Sequence, residues 1–379
     1  MLLEYGLHNF FAFKEGAVVS FRFDRKAPES VTFGRTCSTV LGVHGANASG
    51  KTQLLKALQF LSWFCARSFA LKPDSDMPIS AFATSGDPSS FYVEFECGET
   101  EYRYECSLTR THVRSEVLYR TRARRIKLFE RIDNSITYAT RELHALQSLT
   151  YRSNVSVIAT VNQHQIGMFT DVFDFFSNID SNVGFTGLYD LHLDISETSR
   201  FLHENPACLD RVNSLIAACD TGVKRVVIEH RETEDGRTLH YPTFIHDIDG
   251  KDFPVPAATE SSGTKRLFQI FPLYLTTLQN GGVLVADEFD LHLHPHLLPA
   301  ILDHFLDPKK NPKQAQLLLT SHDSNIMNTL GRYRTYVTTK RDNESFAFRL
   351  DDVPGDLLRN DRPIAPIYDD GKIGGVPRV

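Results

Sequence analysis

The hydrophobic pattern of this 379-residue chain changes period several times along its length. Thr39-Val40-Leu41-Gly42-Val43 is a short continuous apolar run, as expected of a buried strand. Leu54, Leu55, Leu58 and Leu61 follow on one helical stripe. Ala17–Phe23 alternates as a strand, while residues 72–90, with Pro73, Pro78, Gly86 and Pro88, read as a loop. From Phe91 to Ile132 the period is two: Phe91–Glu96, a turn at Gly98, Tyr102–Leu108, then strands around 113–120 and 124–132. This predicts an antiparallel sheet. Residues 141–215 have a mostly helical texture, with Phe169, Val172, Phe173 and Phe176 on one stripe. Strands at Val223–Glu229 and His240–Ile248 precede a hairpin turn at Asp249-Gly250 and a strand at Lys251–Val255. The last third alternates helix 263–279, strand 283–286, helix 296–306, strand 315–320 and helix 323–330, with an irregular tail after Pro354. The expected class is therefore α/β, a mixed sheet plus an antiparallel β subdomain with an α-helical middle region and no long coiled coil.

Composition narrows this picture. The length suits roughly two to three domains. A hydrophobic share of 41% and a charged share of 23% are those of a globular chain. The net charge of −6 excludes a polycation, so nucleic acid would need a local basic patch. The six cysteines form no Cys-x-x-Cys pair, which suits reduced thiols in a cytoplasmic protein. The first residues lack the basic and apolar regions of a signal peptide, and no stretch has the length of a membrane span, so no membrane partner is expected.

Chemistry concentrates where strand gives way to helix. Gly45-Ala46-Asn47-Ala48-Ser49-Gly50-Lys51-Thr52 fits Gly-x-x-x-x-Gly-Lys-Ser/Thr, with the apolar strand before it and the helical stripe after it. Backbone N–H groups in such a loop turn toward phosphate oxygens at a helix N-terminus. Lys51 then reaches the β- and γ-phosphates of ATP or GTP, and Thr52 offers its hydroxyl to Mg²⁺. Val283-Leu284-Val285-Ala286 ends in Asp287, a Mg²⁺ carboxylate, and Glu288, a general base for an attacking water. Ser261-Ser262-Gly263-Thr264 opens a helix and reads either as a γ-phosphate site or as a plain helix cap. His322, just past the strand Leu317-Leu318-Leu319-Thr320, reads either as a plain loop histidine or as an imidazole that hydrogen-bonds a γ-phosphate and senses its loss.

The order of these motifs resembles the ABC ATPase superfamily, and within it the SMC/RecF-like branch. Ser261-Ser262-Gly263-Thr264-Lys265 is similar to a divergent form of that branch's signature, and Leu7–Lys14 to its first strand and turn. The resemblance covers roughly residues 1–60 and 255–340. It implies an ABC-type P-loop head that binds ATP between two copies, as a homodimer or a higher homo-oligomer. Lys51, Thr52 and Asp287 then serve one face, Glu288 and His322 act on the γ-phosphate, and Ser261, Ser262 and Gly263 close the site in trans. It also implies a glutamine between loop and signature, for which Gln163 and Gln165 are both candidates. The expected segments are 1–140, lobe I with the P-loop and the β subdomain; 141–222, a mostly helical insertion; 223–345, lobe II with signature, Asp-Glu strand and His322; and 346–379, a tail.

Phe289-Asp290-Leu291-His292-Leu293-His294-Pro295 is similar to a segment in ATPases of bacterial anti-phage systems, including the PARIS, Septu, Rlo-type and overcoming-lysogenisation systems. This resemblance implies an Mg²⁺-dependent ATPase that acts as sensor or scaffold subunit of such a system, controlling a separate toxin or nuclease. The few residues after Lys340 leave no room for a fused nuclease domain. The second expectation is a RecF-like DNA-binding repair ATPase; a transporter subunit would carry a more glycine-rich signature. His292, His294 and His296 alternate in a spacing open to metal ligands, but Pro295 interrupts them and a partner-contacting loop fits better. Arg120, Arg122 and Arg124 on one strand face read as a phosphate-binding strip for nucleic acid, a surface for an acidic protein, or a charge-guarded edge.

Overall fold

The run at Val40–Gly45 is a strand with every residue buried. It lies inside a six-stranded sheet ordered Glu344–Arg349, Thr335–Arg341, Val40–Gly45, Gln316–Thr320, Val283–Ala286, Ile179–Ser181. All neighbours run parallel except the edge strand Glu344–Arg349, which is antiparallel. Buried parallel strands are mostly apolar, which is why 283–286 and 317–319 read as unbroken runs. The computed structural model describes every residue but 84, 189–193, 220, 234, 292–294, 354–356, 359–361 and 377–379.

The period-two region forms a seven-stranded antiparallel sheet ordered Ala17–Ser20, Leu2–His8, Ser89–Cys97, Thr100–Leu108, Val113–Thr121, Arg125–Ile132, Ser135–Ala139. Ser89–Cys97 buries alternate residues through most of its length, so one face carries Phe91, Val93 and Phe95 into the core. The helix Lys51–Arg67 joins both sheets. Its Leu54, Leu58, Leu61 and Phe64 belong to one apolar cluster with Val93, Phe95 and Tyr104 of the antiparallel sheet and Val43, Val285 and Leu318 of the parallel one. Gln316 adds a polar tie. Its amide accepts the Leu2 N–H at 2.6 Å and donates to the Leu2 carbonyl at 2.8 Å, replacing a ladder bond where two sheets meet.

The chain divides into two compact units, 1–189 with 281–289 and 302–379, and 190–280 with 290–301. These units cut across the four segments expected from sequence. Residues 141–188, assigned there to a helical insertion, supply the first unit with helices Val157–Gln163 and Thr170–Ser177 and with the short strand Ile179–Ser181. The tail is less irregular than expected: Ile364, Tyr368 and Ile373 pack with Met327, Val337 and Leu350 around the helix Ala365–Asp369.

The second unit holds helices Ile195–Glu204 and Pro206–Ala218, the antiparallel strands Val223–Glu232, Thr238–Ile248 and Lys251–Pro256, and the helix Ser262–Asn280. Asp249 and Gly250 both have positive φ, 53° and 75°, the primed turn that matches strand twist in a two-residue hairpin. Leu267, Phe268, Phe271, Leu275 and Leu278 form the buried stripe of the last helix. At 19 residues it is the longest helix among the described residues, and none there forms a long coiled coil.

Candidate nucleotide site

The loop 45–50 leaves the C-terminal end of the P-loop strand and enters the helix Lys51–Arg67. Its tightness depends on glycine at both ends. A Cβ on Gly45 would sit 2.3 Å from Thr338 Oγ1 and 2.6 Å from Ser49 Oγ, the two hydroxyls that hydrogen-bond each other across the loop at 2.6 Å. Gly50 adopts φ 107°, and a Cβ there would meet the Phe13 ring at 3.0 Å. Ala46, Asn47 and Ala48 form the more open crest, with Ala48 itself left-handed at φ 62°. Lys51 folds back into the hollow, donating to the Gly45 carbonyl at 2.8 Å and the Ala46 carbonyl at 3.2 Å. An ammonium held this way stands where phosphate charge would collect.

Behind the loop, His44 is fully buried, and its Nε2 has no hydrogen-bond partner among the described residues. Burial, then the Lys51 ammonium, push this imidazole down to about 3, so it stays neutral and adds no charge to the site. Lys56, one turn beyond Thr52, donates to the Phe185 carbonyl at 2.8 Å with its ammonium 4.6 Å from the Phe11 ring centre.

The acidic side of the site is built on two strand ends. Asp287 follows Val283–Ala286 and is 3% exposed. Its Oδ2 accepts from Thr52 Oγ1 at 2.8 Å and its Oδ1 from Thr320 Oγ1 at 2.5 Å. Thr52 and Asp287, 235 residues apart in sequence, are thus in direct contact. Asn182, just past Ile179–Ser181, brackets the same residue, accepting the Asp287 N–H at 2.7 Å and donating to its carbonyl at 2.8 Å. Gln163 and Gln165, the glutamine candidates, lie at the end of the helix Val157–Gln163 and in the turn after it.

Glu288 is left-handed, φ 49°, and its N–H donates to Thr320 Oγ1 at 2.8 Å. The Phe289 N–H donates to the Thr320 carbonyl at 2.9 Å. Thr320 therefore holds Asp287 and Glu288 at once while the half-buried Glu288 carboxylate makes no hydrogen bond or ion pair among the described residues. Neither Asn182 nor Thr320 has a motif of its own; Thr320 was legible only as the last residue of a buried strand. Thr320→Val preserves shape and removes the hydroxyl. We expect it to cost about 1–3 kcal/mol of stability and to lower turnover by roughly tenfold, read by denaturant melts and phosphate release. Unchanged turnover would mean that Glu288 is aimed without it. His322 is exposed just beyond the same strand.

Ser261, Ser262 and Gly263 lie in the second unit. Ser261 caps the helix Ser262–Asn280: its Oγ accepts the Thr264 N–H at 3.1 Å and lies 2.8 Å from Thr264 Oγ1. The cap reading is realised, and Ser261 and Ser262 are also exposed at a helix N-terminus. Of the arginine strip, only Arg120 is on a strand, where it pairs with Glu142 at 3.2 Å. Arg122 and Arg124 fall in the turn before Arg125–Ile132, so the three do not share a strand face; Arg122 donates to Thr100 Oγ1 at 3.0 Å. His292 and His294 lie outside the described residues, as does the side chain of His296. No group of metal-binding side chains occurs among the described residues, and no helix there is long and apolar enough to cross a membrane.

Solved structures similar to this chain include SMC heads. The SMC head bound to the C-winged helix domain of ScpA is similar over 93% of this chain and 99% of its own, at 15% identity and a TM-score of 0.55. The SMC head domain from Thermotoga maritima matches 92% of this chain and 98% of its own, at 14% identity and 0.47. The Smc head with an extended coiled coil from Pyrococcus furiosus, bound to the C-terminal domain of ScpA, matches 93% and 97%, at 12% identity and 0.45. Among curated proteins none matches the sequence. The fold is that of the SMC head. The sequence between residues 40 and 328 matches one family profile, so that the chain belongs to the family described as "AAA domain, putative AbiEii toxin, Type IV TA system".

Proposed function

We propose that this protein binds and hydrolyses ATP in composite sites formed by two copies of the chain, and that the cycle controls a separate effector in a bacterial anti-phage system. The observation that carries the proposal is the cluster of Lys51, Thr52, Asp287 and Glu288 around one loop, with Thr320 joining its acidic members. A hydroxyl and a carboxylate in contact are hard oxygen donors of the type Mg²⁺ prefers, so Thr52 and Asp287 are suited to hold it. When bound, Mg²⁺ neutralises charge between the β- and γ-phosphates.

The chain's own residues then divide the work. Loop amides and Lys51 hold the phosphates, and Glu288 accepts a proton from the water that attacks in line. His322 contacts the γ-phosphate, and the Ser261–Gly263 turn of the second copy supplies further donors from its helix N-terminus. Because each copy offers one of each half, two sites arise per dimer. The defence role is supported by the family description. A partner in trans would dock on the head as the C-winged helix domain of ScpA does on the SMC head.

Complementation tests the composite site. Lys51→Ala and Ser261→Arg chains should each be nearly inactive alone. Mixed, they should regain phosphate release, since one of the two sites in a mixed dimer keeps both intact halves. In cells, each variant alone should lose protection against phage. A mixture that stays inactive although both chains are folded would sink the trans arrangement.

A further inference from the structure

Resting on the composite-site reading, we infer that His246 and Glu260 form a positioning pair that fixes the Ser261 turn for a nucleotide held by the second copy. His246 lies on the strand Thr238–Ile248, with its Nε2 2.7 Å from Glu260 Oε2. The other carboxylate oxygen, Oε1, accepts the Ser261 N–H at 2.7 Å. Ser261 Oγ in turn caps the helix through Thr264. One line of hydrogen bonds thus runs from the sheet to the first turn of a 19-residue helix.

Several features separate this from an ordinary surface contact. The Glu260 side chain is 6% exposed and that of His246 21%, so the carboxylate is removed from water and held from both sides. Burying a carboxylate is unfavourable unless each oxygen finds a donor, and here each has one. Helix caps alone do not need a histidine on a neighbouring strand: Ser261 already satisfies the Thr264 N–H. What the pair adds is a fixed direction for the Ser261 backbone. A side chain that must meet a phosphate across an interface gains from such pre-orientation, because a displacement of about 1 Å there has large kinetic consequences.

The test uses the full chain with His246→Ala, Glu260→Ala, the double variant and Glu260→Gln. Three readouts are taken: affinity for a fluorescent ATP analogue, ATP-driven mass increase, and kcat for phosphate release, with melting temperature alongside. Both alanine variants should lose about ten- to a hundredfold in kcat and in dimerisation, the scale of one hydrogen bond to a charged group. Nucleotide affinity of the isolated chain should stay within about twofold, since the P-loop is untouched. The double variant should be no worse than Glu260→Ala. Glu260→Gln retains an acceptor for Ser261 and a hydrogen-bonding partner for His246, so it should remain within about threefold of wild type. Wild-type turnover in the alanine variants overturns the pair, as does a loss in Glu260→Gln equal to that in Glu260→Ala. A wild-type chain that neither assembles nor releases phosphate overturns the composite site along with it.

Discussion

Glu288→Gln is expected to slow ATP turnover by about 10²- to 10⁴-fold, the usual contribution of a positioned general base, with nucleotide binding preserved. The substitution is nearly isosteric, and the features that aim residue 288 are backbone features: φ 49° and an N–H bond to Thr320 Oγ1. A glutamine side chain inherits both and lacks only the capacity to take a proton. Because hydrolysis is blocked after ATP has entered, the variant should also accumulate as a heavier, ATP-dependent species by light scattering. Lys51→Ala should behave differently, losing affinity itself, since the ammonium now spent on the Gly45 and Ala46 carbonyls is the charge that a triphosphate would recruit. The pair of variants separates binding from chemistry. If Glu288→Gln turned over at the wild-type rate, the base would have to be sought elsewhere, with His322 the next residue to replace.

The parts of this site that could be read from sequence are those where chemistry dictates several residues in a row. A phosphate loop needs glycine, lysine and a hydroxyl within eight positions, and an acidic strand end needs an apolar run before it. Both were legible. Asn182 and Thr320 were not, because their roles depend on strands that become neighbours only in the folded sheet. Ile179-Asp180-Ser181 is too short to show a period and has a polar centre, so residues 141–222 read as one mostly helical block. The arginines failed for a related reason: spacing of two implies one face only while the strand continues, and this one ends at Thr121. His246 and Glu260 meet across a hairpin and a turn, which no local pattern reports. The centre of the antiparallel sheet, where Ser89–Cys97 and Thr100–Leu108 bury one face, was legible, while Leu2–His8 and the unburied Ser135–Ala139 were not.

Arg131→Ala or Glu116→Ala should each destabilise the first unit by about 3–5 kcal/mol, the cost of leaving one member of a buried ion pair without its partner. Both side chains are 0% exposed, with Arg131 NH1 3.1 Å from Glu116 Oε2. Every remaining polar atom is engaged. Glu116 Oε1 accepts from Tyr104 OH and from the Val157 N–H, both at 2.8 Å. Arg131 donates to the carbonyls of Asp133, Arg152 and Val155. The network ties the antiparallel sheet to the start of the helix Val157–Gln163, which packs against the helix that carries Lys51 and Thr52. Losing it should therefore loosen the support of the nucleotide loop as well as lower the melting point. The double replacement Glu116→Leu with Arg131→Met should recover much of the loss, because removing both charges also removes their desolvation cost. Urea titration of the three variants decides the matter. Single losses below about 1 kcal/mol, the range of exposed pairs, would mean that water reaches these charges and that the helix is held by its apolar contacts alone.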